Sequence, residues 1–420
     1  MAHKLIVVSV DALIYEDLEY LSQKPTFGKL LKKCAMVKRV KSIFPTLTYP
    51  CHATMATGCF PSKHGIVNNT HFTPGNTSPK WQWYHDAYQC SDIFDAAKEA
   101  GLTTAACGWP TTGNHPNIDY LVSEIAATTA KTAEEYQRDY QLTGTTQKLW
   151  DAVCAQHIRF RADEKSVFKF NTAACCEIIR QFAPDLVMLH IGEPDHYRHL
   201  YGVFSQKLPE VLDLCEQALK DLMGAIEESG HGDSYNLVVT ADHTQLDVTH
   251  TAYPNALFAK NGLLTLDAEG NVTAWRAWSH EIGMSASVYV NDPADEAMVY
   301  DLLKKHQQEL GVSHVYTKEE AAAEGFAGNF SFVLDTDGHT QFDDYWDRPC
   351  YVPLNAPRGS HGFHPSKGLR HPILAIGPAF AEGRVLETAH LTDGAPTWAA
   401  ALGFTLPNAD GHALTELLKS

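Results

Sequence analysis

Short apolar runs bounded by polar or turn residues recur along this chain at Leu5–Val10, Leu102–Cys107, Leu186–His190, Leu237–Thr240 and Pro372–Ile376. Continuous rather than alternating hydrophobicity over four to six residues predicts strands buried on both faces. Helical periodicity lies between them. It is clearest in Pro209–Ser229, where Val211, Leu214, Cys215, Ala218, Leu219, Leu222, Met223 and Ile226 share one face. Pro209 suits a first turn and Gly230 a stop. Alternating strand and helix predicts an α/β fold with a mostly parallel central sheet and flanking helices. From 253 to 355 the texture changes. Asp267–Asn271 is a hairpin-type turn, Ser287–Val290 a short strand, Ala294–Leu310 a helix, and Glu319–Gly325 is rich in small and acidic residues. The expectation is a catalytic core of residues 1–252 and 356–420 with a smaller inserted lobe at 253–355.

Composition narrows the function more than the fold. At 420 residues and 44% hydrophobic the chain buries a large core and is not disordered. Its net charge of −17 argues against a nucleic-acid polymer or an anionic membrane surface as partner. A small anionic substrate stays open, because a bound cation reverses the local field. No apolar run approaches the roughly 18 residues of a membrane span. The first apolar run reads as a strand and not a secretion signal, and a cytoplasmic location is expected. Ten cysteines without a CxxC pair read as reduced thiols. The 22 histidines direct attention to metal chemistry.

Reactive residues follow the strands directly. Asp11 comes after the first, Glu193-Pro-Asp195 and His199 after the third, and Asp242-His243 after the fourth; Gly108-Trp109-Pro110 follows the second. In open α/β sheets the ligand crevice lies beyond the carboxyl ends of the strands, where distant residues converge. Asp and His are good ligands for a divalent ion. Asp195 and His199, four apart, share one side of a helical turn. Taken singly, such an Asp is as well explained as a helix cap and such a His as a hydrogen-bonded structural residue. Their joint placement favours a metal site.

The segment Phe44-Pro-Thr-Leu-Thr48-Tyr49-Pro-Cys51-His52, continuing through Thr57-Gly-Cys-Phe-Pro-Ser-Lys63-His64-Gly-Ile to Asn68-Asn69, is the sharpest signal. It resembles the nucleophile region of the nucleotide pyrophosphatase/phosphodiesterase family of the alkaline phosphatase superfamily. Glu193-Pro-Asp195 with His199, Asp242-His243 and Ser360-His361-Gly362 match that family's metal motifs in the same order, over Asp11 to about Phe380. The resemblance implies two divalent ions, most simply Zn2+, with Mn2+ or Fe as alternatives. Asp195, His199 and His361 would hold one. Asp11, Asp242 and His243 would hold the other, with the Thr48 oxygen beside it. Thr48 would be the nucleophile, forming a phosphothreonine that water hydrolyses. Asn69 would donate to a phosphoryl oxygen, and Tyr49 and Trp109 join it as substrate-facing candidates. The chain departs from the pattern at Cys51, Thr244 and Ser360, which border the expected pocket.

The expected activity is hydrolysis of a small phosphodiester. Phosphonoacetate hydrolase, with C–P cleavage, is the alternative. A phosphomonoesterase, a sulfatase (Cys59-Phe-Pro-Ser-Lys63 has Lys where that signature needs Arg) and a non-catalytic metal-binding relative are less favoured. Lys63 is the only cation of the nucleophile segment, which favours diesters over dianionic monoesters.

Overall fold

A computed structural model describes residues 3–164 and 166–419. The run Lys4–Val10 (β1) lies near the middle of an eight-stranded sheet, with six of its seven residues fully buried. It sends Ile6, Val8 and Val10 into one core cluster and Leu5 and Val7 into another, as the two-residue period of a strand requires. The same sheet contains Ala35–Lys41 (β2), Thr104–Cys107 (β3), Tyr120–Val122 (β4), Leu186–Ile191 (β5) and Tyr235–Thr240 (β6), of which β5 and β6 flank β1. The order across the sheet is Val385–His390, β2, His371–Ile376, β6, β1, β5, β3, β4. The sheet is parallel except for His371–Ile376, which runs antiparallel to both β2 and β6.

The α/β architecture with a mostly parallel sheet is therefore as the sequence predicts. Sequence reading missed β2 and Val385–His390. Their alternation of apolar residues with Lys, Arg, Glu and Thr gives half-exposed surfaces instead of continuous runs. The strand expected to begin at Leu102 starts at Thr104, after a turn.

Helices cover both faces. Pro25–Lys33, Val167–Phe182 and Leu208–Glu228 cover one, contributing Phe27, Leu30, Ile178, Ile179, Leu212, Leu219 and Leu222 to its core. Thr48–Thr57, Ile93–Glu99 and Gly394–Leu402 cover the other through Cys51, Met55, Ile93, Phe94 and Trp398. Each fully buried large apolar side chain contributes about 1.5–3 kcal/mol. Among the described residues no helix is long and apolar enough to cross a membrane. All ten cysteines are free, eight of them buried.

Beyond β6 the chain forms Leu246–Ala252, which pairs antiparallel with Tyr351–Ser360, so that Ser360 returns opposite Leu246. Between them lies a four-stranded antiparallel sheet of Ala277–Glu281, Ser285–Val290, Phe332–Thr336 and Val312–Thr317, backed by Pro254–Lys260 and Glu296–Lys305. The Asp267–Asn271 turn closes the hairpin of Leu264–Leu266 and Val272–Trp275. The helix expected over 294–310 is shorter, because a 3-10 turn occupies Pro293–Asp295 and the helix ends at Lys305. The small, acidic stretch at 319–325 contains the end of the capped helix Lys318–Ala323. Gly362 (φ +94°) lets the returning chain pass the second sheet; a Cβ there would sit 1.6 Å from the Ile282 carbonyl oxygen.

Candidate active site

The carboxyl ends of β1, β5 and β6 bring Asp11, the helix Asp195–Tyr201 and the pair Asp242-His243 to one place; Tyr351–Ser360 delivers His361 to it. Two groups form, Asp195/His199/His361 and Asp11/Asp242/His243, each with its donor atoms within 4.8 Å of one another. In the first, Asp195 Oδ2 is 3.2 Å from His199 Nε2 and Oδ1 is 3.7 Å from His361 Nε2. In the second, His243 Nε2 is 3.2 Å from Asp242 Oδ2 and 3.4 Å from Asp11 Oδ1. The rings of His243 and His361 stack at 4.0 Å, so the groups adjoin.

The atoms around these groups fit two dications. His199 donates through Nδ1 to the Gly359 carbonyl at 2.8 Å, and His361 through Nδ1 to that of Thr46 at 3.2 Å. Both Nε2 lone pairs are thereby left for an ion, the usual arrangement around ligating histidines. Asp11 Oδ1 and Asp242 Oδ2 are buried and have no hydrogen-bond partner among the described residues. Buried anionic oxygens without partners are costly unless a cation meets them. The electrostatics agree. Burial, with Asp242 and Asp195 close by, raises the Asp11 carboxyl well above the usual range. Burial also opposes ionisation of Asp195, but His199 and His361 outweigh it and hold that carboxyl low. Burial and the neighbouring His243 lower His361 to about 3, leaving it neutral.

Thr48 is the first residue of the helix Thr48–Thr57, with Oγ1 3.2 Å from His243 Nε2. A helix N-terminus presents free N–H groups and favours anions. Asn69 Oδ1 accepts from the Tyr49 backbone N–H at 2.9 Å, which fixes its amide one residue from Thr48. All seven metal-site candidates and Asn69 thus lie in or beside this cluster.

Tyr49 and Trp109 do not face an opening. Both are 0% exposed; Tyr49 packs against Trp81, and Trp109 meets the His52 ring edge-on at 4.8 Å. As placed here, Trp109 serves packing rather than substrate contact. Lys63 is turned away, ion-paired with Asp410 at 3.0 Å, and does not decide the substrate as its sequence position suggests. The three departures are held in buried contacts. The Cys51 thiol faces Ser42 Oγ at 3.2 Å, Thr244 donates to the Leu369 carbonyl, and Ser360 is buried.

Sequence reading passed over His190 as the last residue of an apolar strand. Its Nε2 lies 3.0 Å from Asp11 Oδ2, and its Nδ1 lies 3.2 Å from the Gly108 carbonyl. His190 thus occupies one carboxylate oxygen of Asp11 and orients the other toward His243. A His ending a buried strand three residues before Glu193-Pro-Asp195 is the signal that could have found it. Arg198, also overlooked, is fully buried. It grips both Asp17 oxygens at 2.7 and 2.9 Å and donates to the Ala12 carbonyl, next to Asp11.

A third cluster, His85/Asp92/Asp95/His115, has its His115 ring fully committed, while His85 Nε2 has no hydrogen-bond partner among the described residues. His115 Nδ1 accepts from Asn117 N–H, so its proton lies on Nε2 and is donated to Asp92 at 3.0 Å. That tautomer has no lone pair on Nε2 for an ion.

The family described as Type I phosphodiesterase / nucleotide pyrophosphatase matches residues 5–364. The rat ectonucleotide pyrophosphatase/phosphodiesterase family member 7 is 24% identical, covering 100% of this chain and 88% of the relative. Its human counterpart is also 24% identical, over 99% of this chain and 83% of the relative. A venom phosphodiesterase of Macrovipera lebetinus is 25% identical over 61% of this chain and 27% of its own. In structure, murine ectonucleotide pyrophosphatase/phosphodiesterase 5, an inactive variant in complex with AMP, superposes with TM-score 0.72 at 20% identity, covering 99% of this chain and 100% of that one. The human form gives the same TM-score, identity and coverage.

Proposed function

The chain belongs to the type I phosphodiesterase / nucleotide pyrophosphatase family, and from that premise we propose that it hydrolyses small phosphodiesters through two divalent ions and a covalent phosphothreonine. It is a phosphoric ester hydrolase. The observation that carries the finer reading is the Thr48 hydroxyl, 3.2 Å from His243 Nε2, beside two adjoining Asp/His groups, of which the Asp11/Asp242/His243 group has two unpartnered carboxylate oxygens.

Asp195, His199 and His361 would hold one ion, and Asp11, Asp242 and His243 the other; mixed carboxylate and imidazole donors suit zinc. Bound there, the ions supply positive charge that favours a threonine alkoxide and stabilises the entering and leaving oxygens. Thr48 Oγ, having lost its proton to solvent, forms the new bond to phosphorus as the bond to the leaving group breaks. Water then cleaves the phosphothreonine and restores the hydroxyl. Asn69, fixed by the Tyr49 N–H, directs its amide donors at a phosphoryl oxygen. No described lysine or arginine hydrogen-bonds or ion-pairs with Thr48 or the six donors, which suits a monoanionic diester better than a dianionic monoester.

The test compares initial rates on bis-p-nitrophenyl phosphate and p-nitrophenyl phosphate with zinc-loaded protein, alongside Thr48→Ala. Diester preference, two ions per chain by elemental analysis, and loss of turnover with metal retained in Thr48→Ala are expected. Undiminished turnover in Thr48→Ala would sink the proposed nucleophile.

A further inference from the structure

Gln245 follows the Asp242-His243 pair by two residues and leads into the strand Leu246–Ala252. It is fully buried, and its amide nitrogen serves one residue twice: Nε2 donates to Asp195 Oδ1 and, at 3.2 Å, to the Asp195 carbonyl. Its Oε1 is buried with no hydrogen-bond partner among the described residues. The opposite orientation of the amide would press Oε1 against a carboxylate and a carbonyl, so its partners fix which end donates. An orphaned carbonyl oxygen in the interior is costly, and Leu or Met would fill the space without one. What an amide offers here, and an apolar side chain lacks, is the pair of hydrogen bonds to Asp195.

The segment around Gln245 holds the whole helix Asp195–Tyr201, which carries two of the three donors of the first group. Two residues on, Asp247 Oδ1 accepts from the Val203 N–H at 2.7 Å, just past the end of that helix. Gln245 and Asp247 therefore grip its two ends. Across the ladder Gly359 pairs with Asp247, and its carbonyl accepts from His199 Nδ1 at 2.8 Å. Gly359 also leaves the room that Gln245 needs: a Cβ there would sit 2.0 Å from Gln245 Oε1 and 2.7 Å from the Arg198 carbonyl oxygen. His361 follows Gly359 by two residues. One strand pair thus sets all three donors, and it reaches the Asp195 carboxylate through Gln245.

We propose that Gln245 is a positioning residue for the first ion, holding the Asp195 carboxylate so that Oδ2 stays free beside His199 Nε2, 3.2 Å away. The inference rests on the two-ion reading and adds to that site a residue outside its donor set. A hydrogen bond to Oδ1 fixes the rotation of the carboxylate, so the ion meets an oxygen already oriented and not one that must be ordered on binding. Gln245 is neutral, so it orients Asp195 without competing with the ion for its negative charge, as Lys or Arg would. It touches no reacting atom. Its effect belongs to the ion that Asp195 holds and leaves the Asp11/Asp242/His243 group alone, and that selectivity separates positioning from general support of the fold.

The test reads zinc affinity, so that it does not depend on turnover. Chelated protein is dialysed to equilibrium against zinc buffers, and the two dissociation constants are compared between wild type and Gln245→Met, which keeps the bulk and loses the donor. One ion should bind about 10- to 100-fold more weakly, the range for a lost partner of a ligating side chain, and the other as in wild type. In His199→Ala protein, where only the second group is complete, adding Gln245→Met should change nothing. Val248→Ala, which empties a fully buried site on the same strand, should lower the melting temperature of chelated protein yet keep both affinities. If Gln245→Met does not fold, Gln245→Asn, an amide one methylene shorter, takes its place with the same expectation. Equal weakening of both ions, weakening of the ion left in His199→Ala, or the same loss in Val248→Ala overturns the positioning role. A wild type that binds no zinc overturns the two-ion reading and this inference with it, whereas two ions held as tightly by Gln245→Met as by wild type overturn this inference alone.

Discussion

Replacing Arg198 by Met tests how the first metal group is held. Arg198 sits between Asp195 and His199 on one helix, and its guanidinium clamps both oxygens of Asp17 while donating to the Ala12 carbonyl beside Asp11. Both side chains of the ion pair are essentially inaccessible, at 0% and 2% exposure. Arg198→Met leaves Asp17 with only the Ile14 N–H at 3.0 Å. Breaking a buried pair from one side costs about 3–5 kcal/mol, because the surviving charge is stranded. With about 2.1 cal/mol/K of unfolding entropy per residue, 420 residues melting as one unit give about 0.9 kcal/mol/K, and hence a drop of about 3–6 °C in Tm. Scanning calorimetry on chelated protein keeps metal binding out of the comparison. The double variant Asp17→Leu/Arg198→Met, which removes both charges, should recover most of the loss. A single variant within about 1 °C of wild type, or a double variant no more stable than the single, would refute the argument.

Three further outcomes follow from the same geometry. His64 is buried, accepts from the Ile66 N–H at its Nδ1, and lies 3.1 Å from Thr54 Oγ1; burial lowers it to about 3. The unfolded chain takes up that proton below about pH 6.5, so stability is lost as pH falls from there toward 3. In urea titrations between pH 7.5 and 4.5, His64→Gln should therefore reduce the slope of stability against pH by up to about 1.4 kcal/mol per unit; equal slopes contradict the assignment. Gly362→Ala places a methyl group against the Ile282 carbonyl at a positive φ, and should cost more than about 1–3 kcal/mol and lower metal content through the adjoining His361. Unchanged melting and unchanged zinc would show that the close approach is not required. His190→Gln should weaken metal affinity about 10- to 100-fold, through loss of control over Asp11, in equilibrium dialysis against a zinc buffer. An effect on Tm alone would make His190 merely structural.

What the sequence revealed followed from continuity and adjacency. Strands buried on both faces announce themselves as unbroken apolar runs, and Asp11, Asp195 and Asp242 announce themselves by following such runs within a few residues. β2 and Val385–His390 escaped notice because half of each is polar and faces solvent. Lys63 misled because proximity in sequence to the nucleophile says nothing about the Asp410 carboxylate arriving from the far end of the chain. His190 was illegible for the related reason that its significance lies in the Asp11 carboxylate and the Gly108 carbonyl it meets, both from distant segments.

The position of His371–Ile376 also bears on how the molecule is made. This late strand fills the gap between β2 and β6, and His361 precedes it by only ten residues. A chain still emerging from the ribosome, with everything up to residue 355 already synthesised, has an open edge on β6, no strand partner for β2, and only Asp195 and His199 of a three-donor group that His361 completes. Domains grow from the N-terminus during synthesis, and non-local pairings close last. Completion of the sheet and of the first donor group therefore coincide near the end of translation. A prematurely terminated product is therefore both open-edged and short of one of the three donors proposed for the first ion.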